Sequence, residues 1–383
     1  MHTVRAARLS LPILTALAAP RAQAQSCEGW GAPETTVYPA DIKSDESSGL
    51  TSSRSRPGVF FTHDDSGGDP RVEAFTPTVE EDTNSINDVT FIDWEDMAAA
   101  PCPDDAETPC LYIGDIGDNL RLRPFITVHV IREPARNADA ERVATWHLRY
   151  PEGPQDAESL VVHPKTGQLT LITKSGDGIS GVYDAPMAAL HDLAGVELTS
   201  ADIPLLERRG TLVIDGDSEG ARMTTGAAYT ADGSAIAVRT YGKLMVWRLP
   251  ACEPGTWFTG APLQLIPPAD PQGEAVTFDL DGALWTTSEG EPMRLTRLPC
   301  VAPIAPDTTS CAWQWTADHA AGGGGTGATD GEGDTVDGDG DMDGDKGRGC
   351  SSVGGQGWNW NWSWAWVCAM GWVATRRSRG QRG

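Results

Sequence analysis

Short runs of alternating apolar and polar residues, bounded by Gly, Pro and Asp, fill the chain from about residue 38 to residue 315. Residues 126–131 (ITVHVI) and 144–148 (ATWHL) are typical examples. A period of two residues is the pattern of a half-buried β-strand. No long segment has the period of an amphipathic helix, and residues 187–193 are expected to form one short helix at most. The pattern predicts an all-β domain.

One unit of this pattern recurs. An acidic or small residue opens an apolar strand, a Gly turn follows, a second strand ends in polar residues, and a third strand often ends in Pro. Three clear copies start at Glu158, Gly226 and Glu274, and two looser copies start at Glu46 and Asp93. Such recurrence is typical of a β-propeller, whose blades bury their faces against one another.

We therefore predict a β-propeller with five recognisable four-stranded blades. A sixth blade is not excluded, and it would lie in the divergent residues 196–217. A two-sheet sandwich is the competing architecture, but it does not explain the recurrence.

The two ends of the chain have different compositions from the body. Residues 1–24 combine a basic start, an apolar stretch and a small-x-small site, which is typical of a secretory signal peptide. The propeller domain is predicted over residues 25–316. Residues 317–349 form a Gly/Asp-rich linker with almost no apolar side chains, so we expect it to be disordered. Residues 350–383 are predicted to be a hydrophobic anchor segment.

An acidic linker, Cys350, a Trp-rich hydrophobic segment at 358–374 and a final Arg cluster follow in that order. This order resembles the C-terminal sorting signals of myxobacterial surface proteins. The resemblance implies a sorting protease that cuts near Cys350, contact with the membrane or envelope, and a product that is anchored at the outer surface of a Gram-negative bacterium or released from it. The alternative is an unprocessed interfacial tail, because Asn359, Asn361 and Ser363 interrupt the segment.

Composition narrows the function classes. Of 383 residues, 54 are acidic and 29 basic, which gives a net charge of -25. The electrostatic field of this negative charge repels phosphates, so we expect no nucleic-acid partner.

Six of the eight Cys lie in the body, and an even number in an exported chain predicts disulfides. Cys102 and Cys110 bracket one loop and are predicted to pair. Cys27 is expected to pair with Cys300 or Cys311. We expect a monomer.

Antiparallel pairing places the start of each innermost strand and the end of the second strand on one face of a propeller. Polar residues at those positions should therefore meet at one axial mouth. The candidate ligand contacts are His63, Asp65, Glu95, Asp96, Lys174, Arg239, Tyr241 and Glu289, and the candidate catalytic residues are Glu158 and Glu274. Crowded carboxylates should raise some pKa values.

Oxygen ligands without Cys favour a hard ion, calcium above others. We predict a calcium site at this face, with Asp115, Asp118 and Asn119 as its first candidates. The competing interpretation is that these acids cap turns.

Several stretches of the body carry a family resemblance. They are Ser48-Gly49-Leu50, His63-Asp64-Asp65-Ser66-Gly67, Asp93-Trp94-Glu95-Asp96, Gly114-Asp115-Ile116-Gly117-Asp118-Asn119, Asp156-Ala157-Glu158-Ser159-Leu160 and Gly273-Glu274-Ala275. The body resembles secreted bacterial β-propellers related to phytase-like and esterase-like propellers. The resemblance is specific for architecture and weak for activity.

Our first hypothesis is a surface propeller that binds a ligand at the acidic mouth, with calcium in a structural role. The alternative is a calcium-dependent, phytase-like phosphoesterase or another metal-assisted hydrolase such as a lactonase. In the phosphoesterase, Lys174 and Arg239 would hold phosphate and Glu158 or Glu274 would be the general base. Two cations are few for a polyanionic substrate.

Overall fold

The structure is a computed structural model that describes residues 26–37, 46–66, 68–193, 195, 199, 202–250, 252–253, 255–290 and 292–315. The predicted signal peptide, linker, sorting segment and Cys350 lie outside these residues. Within them the chain forms β-strands and three single-turn 3-10 helices, Met187–Ala189, Gly220–Arg222 and Trp257–Thr259. None of the helices among the described residues is long and apolar enough to cross a bilayer.

Twenty of the strands form five four-stranded antiparallel sheets, which are the five predicted blades. Blade 1 contains β3 (Ser47–Ser52), β4 (Phe60–Asp64), β5 (Arg71–Thr76) and β6 (Val79–Ser85). Blade 2 contains β7 (Trp94–Pro101), β8 (Pro109–Asp115), β9 (Ile126–Arg132) and β10 (Arg142–Leu148). Blade 3 contains β11 (Ala157–Val162), β12 (Leu169–Thr173), β13 (Ile179–Asp184) and β14 (Glu207–Val213). Blade 4 contains β15 (Thr224–Tyr229), β16 (Ala235–Thr240), β17 (Leu244–Arg248) and β18 (Leu263–Leu265).

Blade 5 is built from both ends of the domain. Its inner strands are β19 (Gly273–Phe278), β20 (Leu284–Ser288) and β21 (Arg294–Leu298), and its outermost strand is β2 (Glu34–Val37). β2 pairs antiparallel with β21, so the start of the domain closes the ring. The sequence analysis included these residues in the propeller domain but recognised the strand pattern only from about residue 38, so it did not predict this strand.

The prediction of five four-stranded blades is confirmed. Residues 196–217, where a sixth blade was left open, instead supply β14, the outermost strand of blade 3. The five innermost strands β3, β7, β11, β15 and β19 each contact the next around the axis, and β19 contacts β3. The ring is therefore closed.

The hydrophobic core lies between the blades. Five clusters of buried side chains each join two neighbouring blades. Trp146 of blade 2, for example, stacks on Trp315 at a centroid distance of 4.6 Å, and Phe60 of blade 1 packs on Trp285 of blade 5 at 5.0 Å. Burial of each blade face against the next is the driving force that holds the ring together.

Three disulfides reinforce the ring. Cys102–Cys110 forms as predicted, and Cys27 pairs with Cys300, one of the two partners left open. The third bridge is Cys252–Cys311. Next to Cys300, β1 (Ser26–Cys27) pairs with β22 (Pro303–Ile304), so a second small sheet joins the ends of the domain.

Removing the bridge across the closure should be more destabilising than removing the local one. Cys27–Cys300 spans 273 residues and Cys102–Cys110 spans 8. On loop-closure entropy alone, the free energy of unfolding should drop by about 5 kcal/mol for Cys27→Ala with Cys300→Ala, and by about 2 to 3 kcal/mol for Cys102→Ala with Cys110→Ala. Urea unfolding measures both. Equal losses would show that the closure is not held by this bridge.

Candidate ligand site at the axial mouth

Strand pairing places the predicted residues at one face. In every blade the first residue of the innermost strand lies opposite the end of the second strand, as in Ala157 with Thr173 and Gly273 with Ser288. The side chains that follow the second strands, such as Lys174 and Glu289, therefore lie beside the starts of the innermost strands.

Each innermost strand contains a β-bulge at the same place. The pairing register shifts directly after the first residue of all five strands. The residues at these bulges are Ser48, Glu95, Glu158, Thr225 and Glu274. A bulge redirects one side chain out of the regular alternation. Three of the five redirected residues are glutamates from three different blades.

Glu158 has a cationic partner in the mouth. The Lys174 ammonium donates a hydrogen bond to the Glu158 carboxylate and another to the Tyr241 hydroxyl at 3.1 Å. It also lies 5.3 Å from the centroid of the Tyr241 ring. Burial raises the pKa of Glu158 to about 8, and the charge of Glu274 adds to this, although Lys174 acts in the opposite direction.

Glu274 and Glu289 form a carboxyl pair. Burial and the charge of Glu274 raise the pKa of Glu289 to about 7, and burial likewise raises the pKa of Glu274 above its ordinary value. The two neighbouring carboxylates therefore disfavour each other's ionised form. The Gln272 amide also donates to Glu289. Glu274 Oε1 is buried without a hydrogen-bond partner among the described residues.

Glu95 occupies the third glutamate position. Burial and the charge of Glu158 raise its pKa well above the ordinary value. Ser48, the bulge residue of blade 1, donates to the backbone carbonyl of Glu95 at 2.7 Å. The neighbouring Asp93 has a pKa that burial and the charge of Asp65 raise to about 6. Thus Asp65, Asp93 and Glu95 continue the acidic cluster around the mouth.

The absence of a side chain at Gly117 leaves room for the carboxylates of Glu95 and Asp93. A Cβ atom at residue 117 would overlap the side chains of Glu95 and Asp93. The loop that contains Gly117 therefore approaches the mouth as bare backbone.

Three of the predicted ligand contacts are interior residues instead. Asp96 is fully buried, and its carboxylate accepts hydrogen bonds from the backbone amides of Met97, Leu160 and Ala227 at 2.8, 2.9 and 3.1 Å. These amides belong to blades 2, 3 and 4. Burial raises the pKa of Asp96 well above the ordinary value, against the lowering effect of the amides. Asp96 therefore joins three blades at the axis.

Arg239 and His63 are also enclosed. Arg239 forms a buried ion pair with Asp270 at 2.6 Å and donates to the carbonyls of Ala275 and Thr287 at 3.2 and 3.0 Å, so it joins blade 4 to blade 5. The His63 ring packs edge-on against Trp94 at 5.5 Å, and burial lowers its pKa to about 4. Asp270 and Gln272 were missed by the sequence analysis, although a buried Arg239 itself requires a carboxylate nearby.

The predicted calcium ligands are engaged by the loop around them. Asp115 forms an ion pair with Arg123 at 2.7 Å and accepts from the amides of Ile92 and Asp93. Asp118 accepts from the amides of Leu122 and Arg123, both at 2.8 Å. Asn119 is exposed. The oxygens of Asp115 and Asp118 thus do not fit a calcium cage as they stand.

Across the part of the chain that the structure describes, no group of three or more His, Cys, Asp or Glu side chains is arranged to hold a metal ion. The calcium site stays a prediction.

Comparisons with known proteins do not identify a family for this chain. No family model matches the chain, and no curated protein matches it. Among solved structures, the PQQ-bound aldose sugar dehydrogenase of Streptomyces coelicolor aligns with 70% of this chain and 98% of its own. The TM-score is 0.37 and the sequence identity 11%. The five-blade architecture rests on the strand pairing described above.

The protein without ligand should lose stability as the pH rises from 6.5 to 8. The folded-state pKa values of Glu158 and Glu289, about 8 and about 7, lie above the ordinary 4.5. The folded chain therefore binds more protons than the unfolded chain in this window, and its stability falls with pH. Buried His63, His129 and His163, whose folded-state pKa values of about 4, 3 and 4 lie below the ordinary 6.5, have the opposite effect, which is confined to the lower part of this window, near pH 6.5 to 7.

Urea unfolding at pH 6.5 and 8 measures the change, of which Glu158 alone should contribute about 1.5 kcal/mol. Glu158→Gln should reduce the pH dependence. The control Glu141→Gln, at a mostly exposed side chain, should leave it unchanged. An unaltered pH dependence in Glu158→Gln would contradict the raised pKa.

Gly117→Ala should lower the free energy of unfolding by about 1 kcal/mol, because the new methyl group overlaps the carboxylates of buried Glu95 and half-buried Asp93, which must shift. It should also change the pH dependence between 6.5 and 8, since Asp93 and Glu95 must move. Gly29→Ala is the matched control, because a Cβ there meets only ordinary contacts at 3.5 Å and beyond. Similar stabilities for the two variants in a urea titration would argue against the close approach.

Proposed function

We propose that this propeller binds a cationic ligand at its axial mouth and does not hydrolyse a phosphate ester. The observation that carries the proposal is the placement of Glu95, Glu158 and Glu274 at equivalent bulges of three blades. Burial raises the pKa of all three, so the free protein keeps protons or unfavourable charge there. A bound cation would stabilise the ionised forms and relieve that cost.

An ammonium group suits this site in charge and in hydrogen bonding. Glu274 Oε1 is buried and has no donor among the described residues, so an N–H of the ligand would satisfy it. Lys174 already shows how the site receives an ammonium, through Glu158 and the hydroxyl and ring of Tyr241. We infer that the ligand is an organic amine whose ammonium lies on the side of Glu95 and Glu274.

The cations needed for phosphate binding are already engaged. Lys174 is paired with Glu158, and Arg239 is paired with Asp270 and two backbone carbonyls. Releasing either cation would leave a buried carboxylate without its partner, which is costly. This favours binding of a cation over the phosphoesterase alternative.

The three disulfides support the proposed location. Disulfides form and persist in oxidising compartments. We propose that the propeller is exported and presented at the cell surface, where the mouth meets ligands from outside.

Isothermal titration of the full chain with 1,4-diaminobutane tests the proposal. We expect the diamine to bind and the uncharged 1,4-butanediol not to bind. Glu158→Gln and Glu274→Gln should each weaken binding by about tenfold or more, since each removes a charged hydrogen-bond acceptor. Affinity should increase from pH 6 to 8, as Asp93, Glu289 and Glu158 lose their protons.

Glu141→Gln removes the same charge from an exposed position and should bind as the unaltered chain does. Equal binding of the diol, or no effect of the two mouth substitutions, would refute the proposal. A parallel titration with calcium chloride tests the metal: calcium binding that Glu274→Gln abolishes and the diamine cannot match would replace the amine by a metal ion. Hydrolysis of 4-nitrophenyl phosphate with added calcium would favour the phosphoesterase.

A further inference from the structure

A second cavity lies at the opposite end of the axis. It has a volume of about 500 Å³ and is formed where the innermost strands of blades 1 to 4 end. Ala100 and Pro101 close β7, Pro164 follows β11, and Ala231 follows β15. Since the acidic mouth is built from the starts of these same strands, the cavity and the mouth are separate sites at opposite faces.

Arg54 places a positive charge in this cavity. It follows β3 and lines both the cavity and the narrow end of the axial channel beside Thr51 and Met97. One guanidinium nitrogen, Nη2, donates to the carbonyl of Ala99 at 3.1 Å. The Nε atom is buried and has no acceptor among the described residues. Burial lowers the pKa of Arg54 to about 10, so the side chain remains charged at neutral pH.

The charges of Glu133 and Asp232 favour the ionised form of Arg54, but neither carboxylate forms an ion pair with its guanidinium among the described residues. Glu133 accepts hydrogen bonds from the hydroxyls of Ser53 and Ser55 and from the backbone amides of Arg54 and Ser55. These donors hold the loop after β3, and among the described residues the Arg54 guanidinium has no ion pair. A buried guanidinium without a carboxylate partner is costly, and an anion that enters the cavity would provide one.

The lining of the cavity is partly apolar. Ala100, Pro101, Ala106, Pro109, Pro164 and Ala231 form its apolar part, and Ser55, Glu107 and Thr108 line it together with Arg54. Pro101 and Pro109 directly precede Cys102 and Cys110 and are paired across β7 and β8, so the disulfide lies next to this part of the wall. The apolar part of this lining suits a ligand that carries an apolar group.

We propose that this cavity binds a small organic acid, whose carboxylate accepts hydrogen bonds from Arg54 and whose apolar body packs on the proline walls. The cavity and the mouth then select ligands of opposite charge. The inference stands independently of the function proposed for the mouth, because the two sites share no residue.

Isothermal titration of the full chain with benzoate tests the inference, with benzamide as the uncharged isostere. We expect benzoate to bind at least about tenfold more tightly than benzamide, because only benzoate gives Arg54 a charged acceptor. Arg54→Gln should abolish this preference, and Arg54→Lys should retain part of it.

Ala231→Phe should fill the cavity and prevent binding while Arg54 keeps its charge. Arg132→Gln removes the same charge from a half-buried arginine that is already paired with Asp104, and it should bind benzoate as the unaltered chain does. Thermal unfolding checks that each variant is folded. Equal affinities for benzoate and benzamide, or unchanged benzoate binding in Arg54→Gln, would overturn the proposal. Loss of benzoate binding in Glu274→Gln as well would place the acid at the mouth instead.

Discussion

The chemistry of this propeller depends on one backbone irregularity that is repeated five times. In a regular strand, successive side chains point to opposite faces of the sheet, and both faces of a blade are covered by its neighbours. Without a bulge, each innermost strand would therefore bury all of its side chains between blades. The extra residue at the start of each strand breaks this alternation. It gives the fold five positions at the axis that carry polar groups without disturbing the apolar interfaces.

Neighbouring acidic residues have two different roles in this fold: some lie at the mouth, and others join the blades in the interior. Glu95 follows the bulge geometry into the mouth, while the next residue, Asp96, turns inward and accepts three backbone amides. Asp96 and Arg239 thus join neighbouring blades through buried hydrogen bonds. Buried polar groups of this kind are tolerated because nearly every donor and acceptor is satisfied. At the mouth, by contrast, Glu274 Oε1 and Asp65 Oδ1 are buried and have no hydrogen-bond partner among the described residues.

The recurring strand unit, the five blades and the Cys102–Cys110 bridge could be predicted from local sequence, because each depends on residues close in the chain. The face that carries Glu95, Glu158 and Glu274 could be predicted as well, since antiparallel pairing fixes it. The roles of Asp96, Arg239 and Asp115 could not. Their partners are backbone amides or a distant Asp270, and no sequence pattern shows which acid a fold will enclose. The strand β2 was missed because its partner lies more than 250 residues away.

The pairing of β2 with β21 has a consequence for the order in which the molecule is made. The strand that emerges first completes the blade that emerges last, so it remains without a partner until β21 is available. Four blades can assemble as the chain enters the compartment where it folds, whereas the ring can close only after its final blade has arrived. Until β2 pairs with β21, both strands have unpaired backbone groups that can pair with another chain. The time before closure is therefore the period in which this edge can mispair.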